Sequence, residues 1–335
     1  MKKVWNKIKS RVTAPRVKKP AVAISANAEV VPSSAHNIVT QDISAAALKV
    51  LHRLNDAGYS AYLVGGGVRD LLLGLHPKDF DVTTDASPEE IRKLFSNGRI
   101  IGRRFRLVHV RYGREIVEVA TFRGQGVQAD SLVDQEQEFD DELESKFNED
   151  TQGDFHARPK PLRRHIERPA GVLASDNVYG TMEEDAFRRD FTVNALFYCV
   201  KDFTVIDYCK GIRDLEAKQI RVIGNPEQRY REDPVRMLRA VRLAAKLGFT
   251  IEPQSAAPIA DLANLLSHVP PARLYDELVK IIVGGHSLPA FDLLQYYGLF
   301  ELLFPQTFNS LLGEHGQQAL TLIKLAFQET DARIA

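Results

Sequence analysis

The spacing of apolar residues divides the chain into two parts that differ in secondary structure. Between residues 41 and 224, short apolar runs of strand length alternate with stretches in which apolar residues follow a helical period. From residue 225 onward, the apolar residues keep a helical period. The pattern predicts an α/β region, a mixed sheet with helices, over 41–224 and an all-α region over 225–335.

Local signals define several elements of the first region. A helix is expected over 43–57, with Asp42 as its N-cap and Gly58 after its last turn. Ser87 and Glu90 form a capping box that begins a second helix. Strands are expected over 105–112, 115–122, 203–207 and 219–223. The last two should pair as a hairpin that is broken by Gly211.

Charge is distributed unevenly along this chain of 335 residues, although its formal net charge is zero. Residues 1–20 carry eight Lys or Arg and no acid, residues 130–154 carry eleven Asp or Glu, and residues 156–168 carry five Lys or Arg. We therefore expect a disordered basic N-terminus over 1–40 and a mobile arm over 124–180. The basic half of the arm suits contact with an RNA backbone, whereas the acidic half suits a solvated linker.

Cysteine content and hydropathy exclude several classes of protein. Cys199 and Cys209 are the only cysteines, and they form no Cys-x-x-Cys motif, so neither a disulfide framework nor a zinc site is expected. The basic N-terminus lacks the apolar core of a signal peptide, and no apolar run is long enough to span a membrane. The sequence is typical of a protein of the reducing cytoplasm.

Three glycines and two aspartates form the first candidate site. Gly65, Gly66 and Gly67 follow a short apolar strand, and the absence of Cβ atoms there lets another group approach the backbone. Asp79 and Asp81 alternate with apolar residues, so a strand would present both carboxylates on one face. At about 4 Å and an effective dielectric near ~20, two carboxylates repel by about 4 kcal/mol. A divalent cation such as Mg²⁺ would offset this repulsion.

Each half of this pattern also has a simpler interpretation. A glycine cluster alone is most often a turn, and a lone Asp-x-Asp is most often a solvated loop. Their order and spacing together favour a nucleotide triphosphate held on backbone amides beside Mg²⁺. The stretch is not a Walker loop, because no Gly-Lys-Ser/Thr follows the glycines, and it lacks the G-x-G-x-x-G of dinucleotide-binding folds.

Two further groups of charged residues lie in the predicted α/β region. Glu118 lies on the predicted strand over 115–122, so a compact sheet would bring a third carboxylate near the two aspartates. Arg188, Arg189 and Asp190 lie beside an apolar segment. Burial of charged groups is costly unless they have partners, so these three residues are expected to be paired.

Four motifs in order resemble the class II nucleotidyltransferases, which comprise bacterial CCA-adding enzymes and bacterial poly(A) polymerases. They are Gly-Gly-Gly-Val-Arg-Asp with the two aspartates, Arg-Arg-Asp-Phe-Thr-Val-Asn at 188–194, Gly-Ile-Arg-Asp-Leu at 211–215, and Glu-Asp-Pro-Val-Arg-Met-Leu-Arg at 232–239. The resemblance covers residues 42–335 apart from the arm. It implies an α/β nucleotidyltransferase head followed by an all-α neck and body.

The resemblance also implies roles for particular residues. Asp79 and Asp81 would bind two Mg²⁺ ions and act in catalysis, and Asp190 would act in catalysis or ribose recognition. Glu118 is expected to be a further catalytic carboxylate, chiefly because of its position on a strand. The remaining implied contacts are to the nucleotide. The triphosphate would be held by Gly65, Gly66, Arg69 and Arg189. The edge of the base would be read by Asp233 and Arg236.

One segment distinguishes the two branches of the family. Gly-Arg-Arg-Phe-Arg-Leu at 102–107 resembles the poly(A) polymerases, whereas CCA-adding enzymes usually place Gly-Thr after the corresponding Phe. Arg103, Arg104 and Arg106 are therefore expected to contact RNA near the triphosphate. The alternative is a solvated basic edge of the sheet that has no effect on specificity.

The activity implied by the resemblance is template-independent polynucleotide adenylyltransfer, in which AMP from ATP is added to RNA 3′ ends. A cytoplasmic monomer is expected, with RNA and ATP as its partners. Poly(A) polymerases of this family usually continue with more helices, so the body is expected to be incomplete at its C-terminus. Two alternatives are a tRNA CCA-adding nucleotidyltransferase and an RNA-binding protein with an inactive head. Asp79 and Asp81 weigh against an inactive head.

Overall fold

A computed structural model describes residues 24–102, 106–124 and 179–334 of the chain. Its first eight strands are β1 (Glu29–Val31), β2 (Ala61–Val64), β3 (Asp81–Thr84), β4 (Gly98–Ile101), β5 (Leu107–Tyr112), β6 (Glu115–Thr121), β7 (Leu196–Cys199) and β8 (Thr204–Asp207). They form one sheet in the order β1-β8-β7-β2-β3-β6-β5-β4. Strands β3 and β6 are parallel, and the other neighbours are antiparallel. The predicted mixed sheet is therefore confirmed.

Five short helices belong to the head: α1 (Ala45–Asp56), α2 (Gly66–Leu72), α3 (Pro88–Leu94), α4 (Met182–Arg188) and α5 (Gly211–Glu216). The capping box of α3 is present as predicted, with Ser87 and Glu90 bonded to each other's backbone. The N-cap of α1 is Ser44, whose hydroxyl accepts a hydrogen bond from the backbone N–H of Ala47. The prediction of Asp42 as this cap is wrong, because Asp42 ends a preceding 3-10 turn.

The middle of the sheet, at β2 and β7, is buried on both faces, which explains why β2 is apolar at every position. Leu63 packs in the main core with α1 and α2, whereas Tyr62 and Val64 pack in a smaller core on the opposite face. Phe197 and Ile206 of β7 and β8 belong to this smaller core. The site described below lies where β2 and β3 meet, at the end of β2.

Two expectations about the strands of the head are wrong. Strand β1 pairs with β8, so residues 29–31 are ordered within the segment expected to be disordered. Strand β8 pairs with β7, so the expected hairpin between 203–207 and 219–223 does not form. Gly211 begins α5 instead, where a Cβ would lie 2.3 Å from the Thr192 carbonyl oxygen. Only glycine permits this close approach.

The second region is helical, as predicted, with α6 (Pro226–Glu232), α7 (Val235–Leu247), α8 (Pro253–Ala256), α9 (Ile259–Leu262), α10 (Pro271–Ile282), α11 (Ser287–Tyr296), α12 (Leu299–Leu303), α13 (Pro305–Leu311) and α14 (Gly316–Ile334). Helices α6 and α7 are separated at Asp233, which is extended because Pro234 follows it. A small parallel pair, β9 (Gln219–Ile220) with β10 (Thr250–Ile251), joins the two regions. Among the described helices, none combines the length and apolar character needed to cross a bilayer.

Candidate active site

Two carboxylates lie side by side in the sheet. Asp81 of β3 is the register partner of Glu118 on β6, and on its other side it is opposite Val64, the last residue of β2. Paired residues on adjacent strands point to the same face of a sheet. Glu118 therefore lies beside Asp81, as its predicted strand position required, and its Oε1 is 3.3 Å from Nε2 of His109 on β5.

Asp79 approaches this pair from the loop before β3. The strand begins at Asp81, so the two aspartates do not belong to one regular strand, yet the predicted alternation of burial holds. Phe80 and Val82 are buried, whereas Asp79 and Asp81 are exposed. The loop is packed against α2, because a Cβ on Gly67 would lie 3.3 Å from the Asp79 carbonyl oxygen.

The surroundings of Asp81 disfavour its ionised form. Its side chain is open to solvent, but the neighbouring protein removes part of its hydration. Desolvation and the nearby Glu118 raise the pKa of Asp81 to about 6, while Arg189 opposes this shift. Because two carboxylates in one place repel each other, a bound cation would lower the free energy of the ionised pair.

The donor set at this place fits a hard divalent cation. Carboxylate oxygens are the ligands that Mg²⁺ prefers in proteins, and Asp79 and Glu118 both raise the pKa of Asp81 by their charge. Within 24–102, 106–124 and 179–334, the side chains do not form a group of three or more possible ligands. Asp81 is therefore the residue around which a metal contact would form, with Asp79 or Glu118 as the second carboxylate.

Gly65 lies beside both Asp81 and Arg189. It adopts a φ of +78°, and a Cβ placed on it would lie 3.7 Å from Oδ2 of Asp81 and 3.6 Å from Nη1 of Arg189. Arg189 is held by its Nη2, which donates to the carboxylate of Asp185 at 2.9 Å. Its Nε is buried without a hydrogen-bond partner among the described residues. An arginine with donors to spare beside an acidic site suits a phosphate group.

The Asp190 side chain is only 10% exposed and lies in a network that joins the head to the helical region. Its Oδ1 accepts from the backbone N–H of Phe191 at 2.8 Å and from the side chain of Asn194 at 3.3 Å, and its Oδ2 accepts from Nε of Arg239 at 2.9 Å. Burial alone would raise the pKa of Asp190, but the Arg239 guanidinium and these hydrogen bonds hold it below its ordinary value. Its ionised carboxylate therefore holds α7 against the head.

Arg69 occupies a different place from the one its predicted role suggests. It is 5% exposed, and its donors serve two neighbours: Nε and Nη2 donate to Asp70, and Nη1 donates to Asn194 at 2.6 Å. Asp70 in turn contacts Nζ of Lys246 on α7 at 3.0 Å. These contacts give Arg69 a bracing position behind Gly66, where a direct triphosphate contact would require its hydrogen bonds to exchange.

Asp233 and Arg236 lie at the start of α7, as their motif predicts, and each has a protein partner. The Asp233 carboxylate accepts from Nη2 of Arg273 at 3.2 Å. Arg236 donates from Nη1 to the Arg229 carbonyl oxygen at 2.6 Å. Burial and the nearby Arg229 lower the pKa of Arg236. Both side chains remain partly exposed, so each retains a surface that a base edge could contact.

The predicted RNA contacts are described only in part. Arg103 and Arg104 lie outside the described residues, as does the basic half of the arm over 156–168. Arg106 forms an ion pair with Glu89 at 2.5 Å.

Sequence reasoning missed Asn194 and Arg239 as site residues, although the first belongs to the Arg-Arg-Asp motif and the second to the motif that begins α7. Because a charged group beside an apolar segment needs partners, the polar residues of these two motifs were the candidates.

Known proteins match both parts of the chain. Residues 61–221 match the Poly A polymerase head domain, and residues 248–311 match the probable RNA and SrmB-binding site of polymerase A. Poly(A) polymerase I of Salmonella typhi is 50% identical over 306 residues, which cover 91% of this chain and 59% of that protein. The CCA-adding enzyme of Lactobacillus helveticus (strain DPC 4571) is 34% identical over 302 residues, which cover 87% of this chain and 66% of that protein.

A solved structure of a CCA-adding enzyme is also similar to this chain. The crystal structure of the Bacillus stearothermophilus CCA-adding enzyme in complex with CTP matches with a TM-score of 0.58 and 30% identity, over 76% of this chain and 52% of that chain. A mixed sheet that presents carboxylates beside a glycine turn is, with these matches, the head of a nucleotidyltransferase. The chain belongs to the class II nucleotidyltransferase family of poly(A) polymerases and CCA-adding enzymes. It spans 59% of the length of the Salmonella typhi relative.

Proposed function

We propose that the chain is a template-independent polynucleotide adenylyltransferase that adds AMP from ATP to RNA 3′ ends and depends on two Mg²⁺ ions. The observation that carries this proposal is that the Asp81 carboxylate and the Arg189 guanidinium both border the space that a Gly65 side chain would fill. A negative group for a metal and a positive group for phosphate therefore lie beside a residue without a side chain. This pairing suits phosphoryl or nucleotidyl transfer.

In this reaction the RNA 3′-hydroxyl attacks the α-phosphate of ATP, and pyrophosphate leaves. Asp79 and Asp81, with Glu118 as a candidate third ligand, would hold Mg²⁺, which supplies activation of the hydroxyl and neutralisation of the triphosphate. Arg189 binds the phosphates and stabilises the charge that develops on the leaving group. Asp190 orients the ribose or holds the Arg189 turn through its bonds to Arg239. No covalent intermediate on the protein is required.

The choice of ATP as the repeated substrate is supported by two observations. The identity to the Salmonella typhi poly(A) polymerase, 50%, exceeds the 34% identity to the Lactobacillus helveticus CCA-adding enzyme. The Gly-Arg-Arg-Phe-Arg-Leu segment points to the same branch. The second candidate is CCA addition to tRNA, which the fold match to a CTP-bound enzyme favours. A monomer that acts in the cytoplasm stays a prediction.

Pyrophosphate release from ATP in the presence of an unstructured RNA oligomer tests the activity. The wild-type protein is expected to release pyrophosphate, while Asp81→Asn and Asp79→Asn should reduce the rate by at least about tenfold, since each would lose a metal ligand. Asp56→Asn is the matched control, because Asp56 is an exposed carboxylate at the end of α1. If the wild type binds RNA but releases no pyrophosphate, the result would instead support the inactive-head alternative.

A further inference from the structure

Arg229 of α6 caps the end of α4, although the two helices belong to different regions of the chain. Its Nη2 donates to the carbonyl oxygen of Arg188 at 2.6 Å and to that of Arg189 at 2.7 Å. The last carbonyls of a helix lack partners within the helix, and a cation there is also favoured by the helix dipole. Arg229 therefore fixes the backbone from which the Arg189 side chain projects toward Asp81.

The other end of the same guanidinium contacts the last residue of α6. Nη1 of Arg229 donates to Oε2 of Glu232 at 3.0 Å. The same Glu232 oxygen lies 3.6 Å from Nη1 of Arg236. Arg236 also donates to the backbone carbonyl of Arg229 at 2.6 Å. Arg236 is thus held directly by the backbone of Arg229, and the side chain of Arg229 holds the Glu232 carboxylate that lies beside Arg236.

We infer that Arg229 is a positioning residue that couples Arg236, at the base-reading end of the site, to Arg189, at the phosphate end. This inference rests on the proposed function for the roles of Arg189 and Arg236. A guanidinium presents its N–H donors along different edges of one rigid plane, so one side chain can hold both partners at a fixed separation, a geometry that the point-like ammonium of lysine does not provide. Loss of Arg229 should then change which nucleotide reacts as well as how fast it reacts.

A purely structural role for Arg229 makes a different prediction. If Arg229 only fastened α6 to the head, its replacement would lower the melting temperature but leave the preference for ATP over CTP unchanged. Its 17% exposed side chain makes some loss of stability expected in either case. The preference between nucleotides is therefore the deciding measurement.

The experiment compares Arg229→Lys and Arg229→Gln with Arg231→Lys and Arg231→Gln. Arg231 is a matched control, because it lies on the same helix, is 57% exposed and pairs with Glu227. For each variant, kcat and KM are measured with ATP and with CTP on one RNA oligomer, and dissociation constants of both nucleotides are measured without RNA. Arg229→Lys should lower the ATP-to-CTP ratio of kcat/KM by about tenfold, whereas Arg231→Lys should stay within about twofold.

Coupling gives a second test within the same series. In an Arg236→Ala background, Arg229→Lys should cause little further change in the ratio, because the two residues act on one contact. A wild-type ratio in Arg229→Lys, or a change that adds fully to that of Arg236→Ala, overturns the inference. If the wild type adds no nucleotide, the proposed function fails. The inference is then decided by whether Arg229→Lys changes the ratio of the dissociation constants for ATP and CTP. Failure of the wild type to bind either nucleotide overturns both.

Discussion

The Asp190 carboxylate of the head and the Arg239 guanidinium of α7 form a direct ion pair, with Nε of Arg239 2.9 Å from Oδ2 of Asp190 and a second, shorter contact from Nη2. Asp190 directly follows Arg189, and Arg239 lies one turn beyond Arg236. The pair therefore joins two motifs that are distant in sequence, and it fixes the orientation of α7 against the head.

Arg239→Met should lower the free energy of unfolding by about 2 kcal/mol, because it leaves a buried carboxylate without its main partner. Urea unfolding at pH 7 measures this loss. The double variant Asp190→Asn with Arg239→Met should recover part of it, since the uncompensated charge is then gone. Equal stability of wild type and Arg239→Met would show that the pair contributes nothing to holding the two regions together.

Asp81→Asn should raise the stability of the metal-free protein at pH 7.5 and have no such effect below pH 4. The folded-state pKa of Asp81, about 6, exceeds the ordinary value of 3.8, so the folded state binds the proton more tightly than the unfolded state. Stability is therefore lost as the pH rises through this window. With solvent screening of this exposed group, the gain is about 1 kcal/mol.

Thermal unfolding across pH, with and without Mg²⁺, measures this effect, and Asp56→Asn provides the control. Mg²⁺ should stabilise the wild type above pH 6 and have less effect on Asp81→Asn, because the cation requires the ionised carboxylate. A pH profile of Asp81→Asn that runs parallel to that of the wild type would contradict the proposed cluster of carboxylates.

Arg236→Ala should relax nucleotide choice more than it slows the reaction. Loss of a guanidinium contact to a base edge costs about 1–3 kcal/mol of discrimination. The alternative is that Arg236 only braces α7 through the Arg229 carbonyl, which its hydrogen bond of 2.6 Å permits. Competition between ATP and GTP separates the two roles. An unchanged ratio with a lowered melting temperature would support bracing, and Arg231→Ala controls for loss of charge.

RNA affinity should fall steeply with salt although the net charge is zero. For single strands, the slope of log affinity against log salt is about 0.7 per phosphate contacted. Deletion of residues 156–168 should flatten this slope if the basic half of the arm contacts RNA. A titration with no slope would rule out phosphate contacts as the main source of affinity, and deletion of 130–142 provides an acidic control of equal length.

Local signals in the sequence were sufficient for much of the head. The capping box at Ser87 and the burial of Phe80 and Val82 follow from neighbouring residues alone. The pairing of β8 with β7 was missed, because strand partners are set by tertiary packing and not by the periodicity of each segment. The break before α7 could have been predicted, since Pro234 disfavours a helical Asp233.

In the site, too, some positions could be predicted from the sequence and others depend on tertiary packing. The position of Glu118 beside Asp81 follows from alternation along two strands and was predicted. The position of Arg69 could not be predicted from the sequence, because its partners Asp70 and Asn194 are brought together only by the fold. A glycine-rich motif indicates that a ligand approaches the backbone, but it does not tell which nearby arginine contacts the ligand and which supports the turn.

The product formed from single nucleotides tests the central claim most directly. The protein is incubated with an unstructured RNA oligomer and ATP, CTP, GTP or UTP separately, and the products are resolved by length. We predict a ladder of many additions with ATP alone. Addition that is restricted to tRNA lacking its CCA end, requires CTP and stops once that end is complete would contradict the account and establish the CCA-adding alternative.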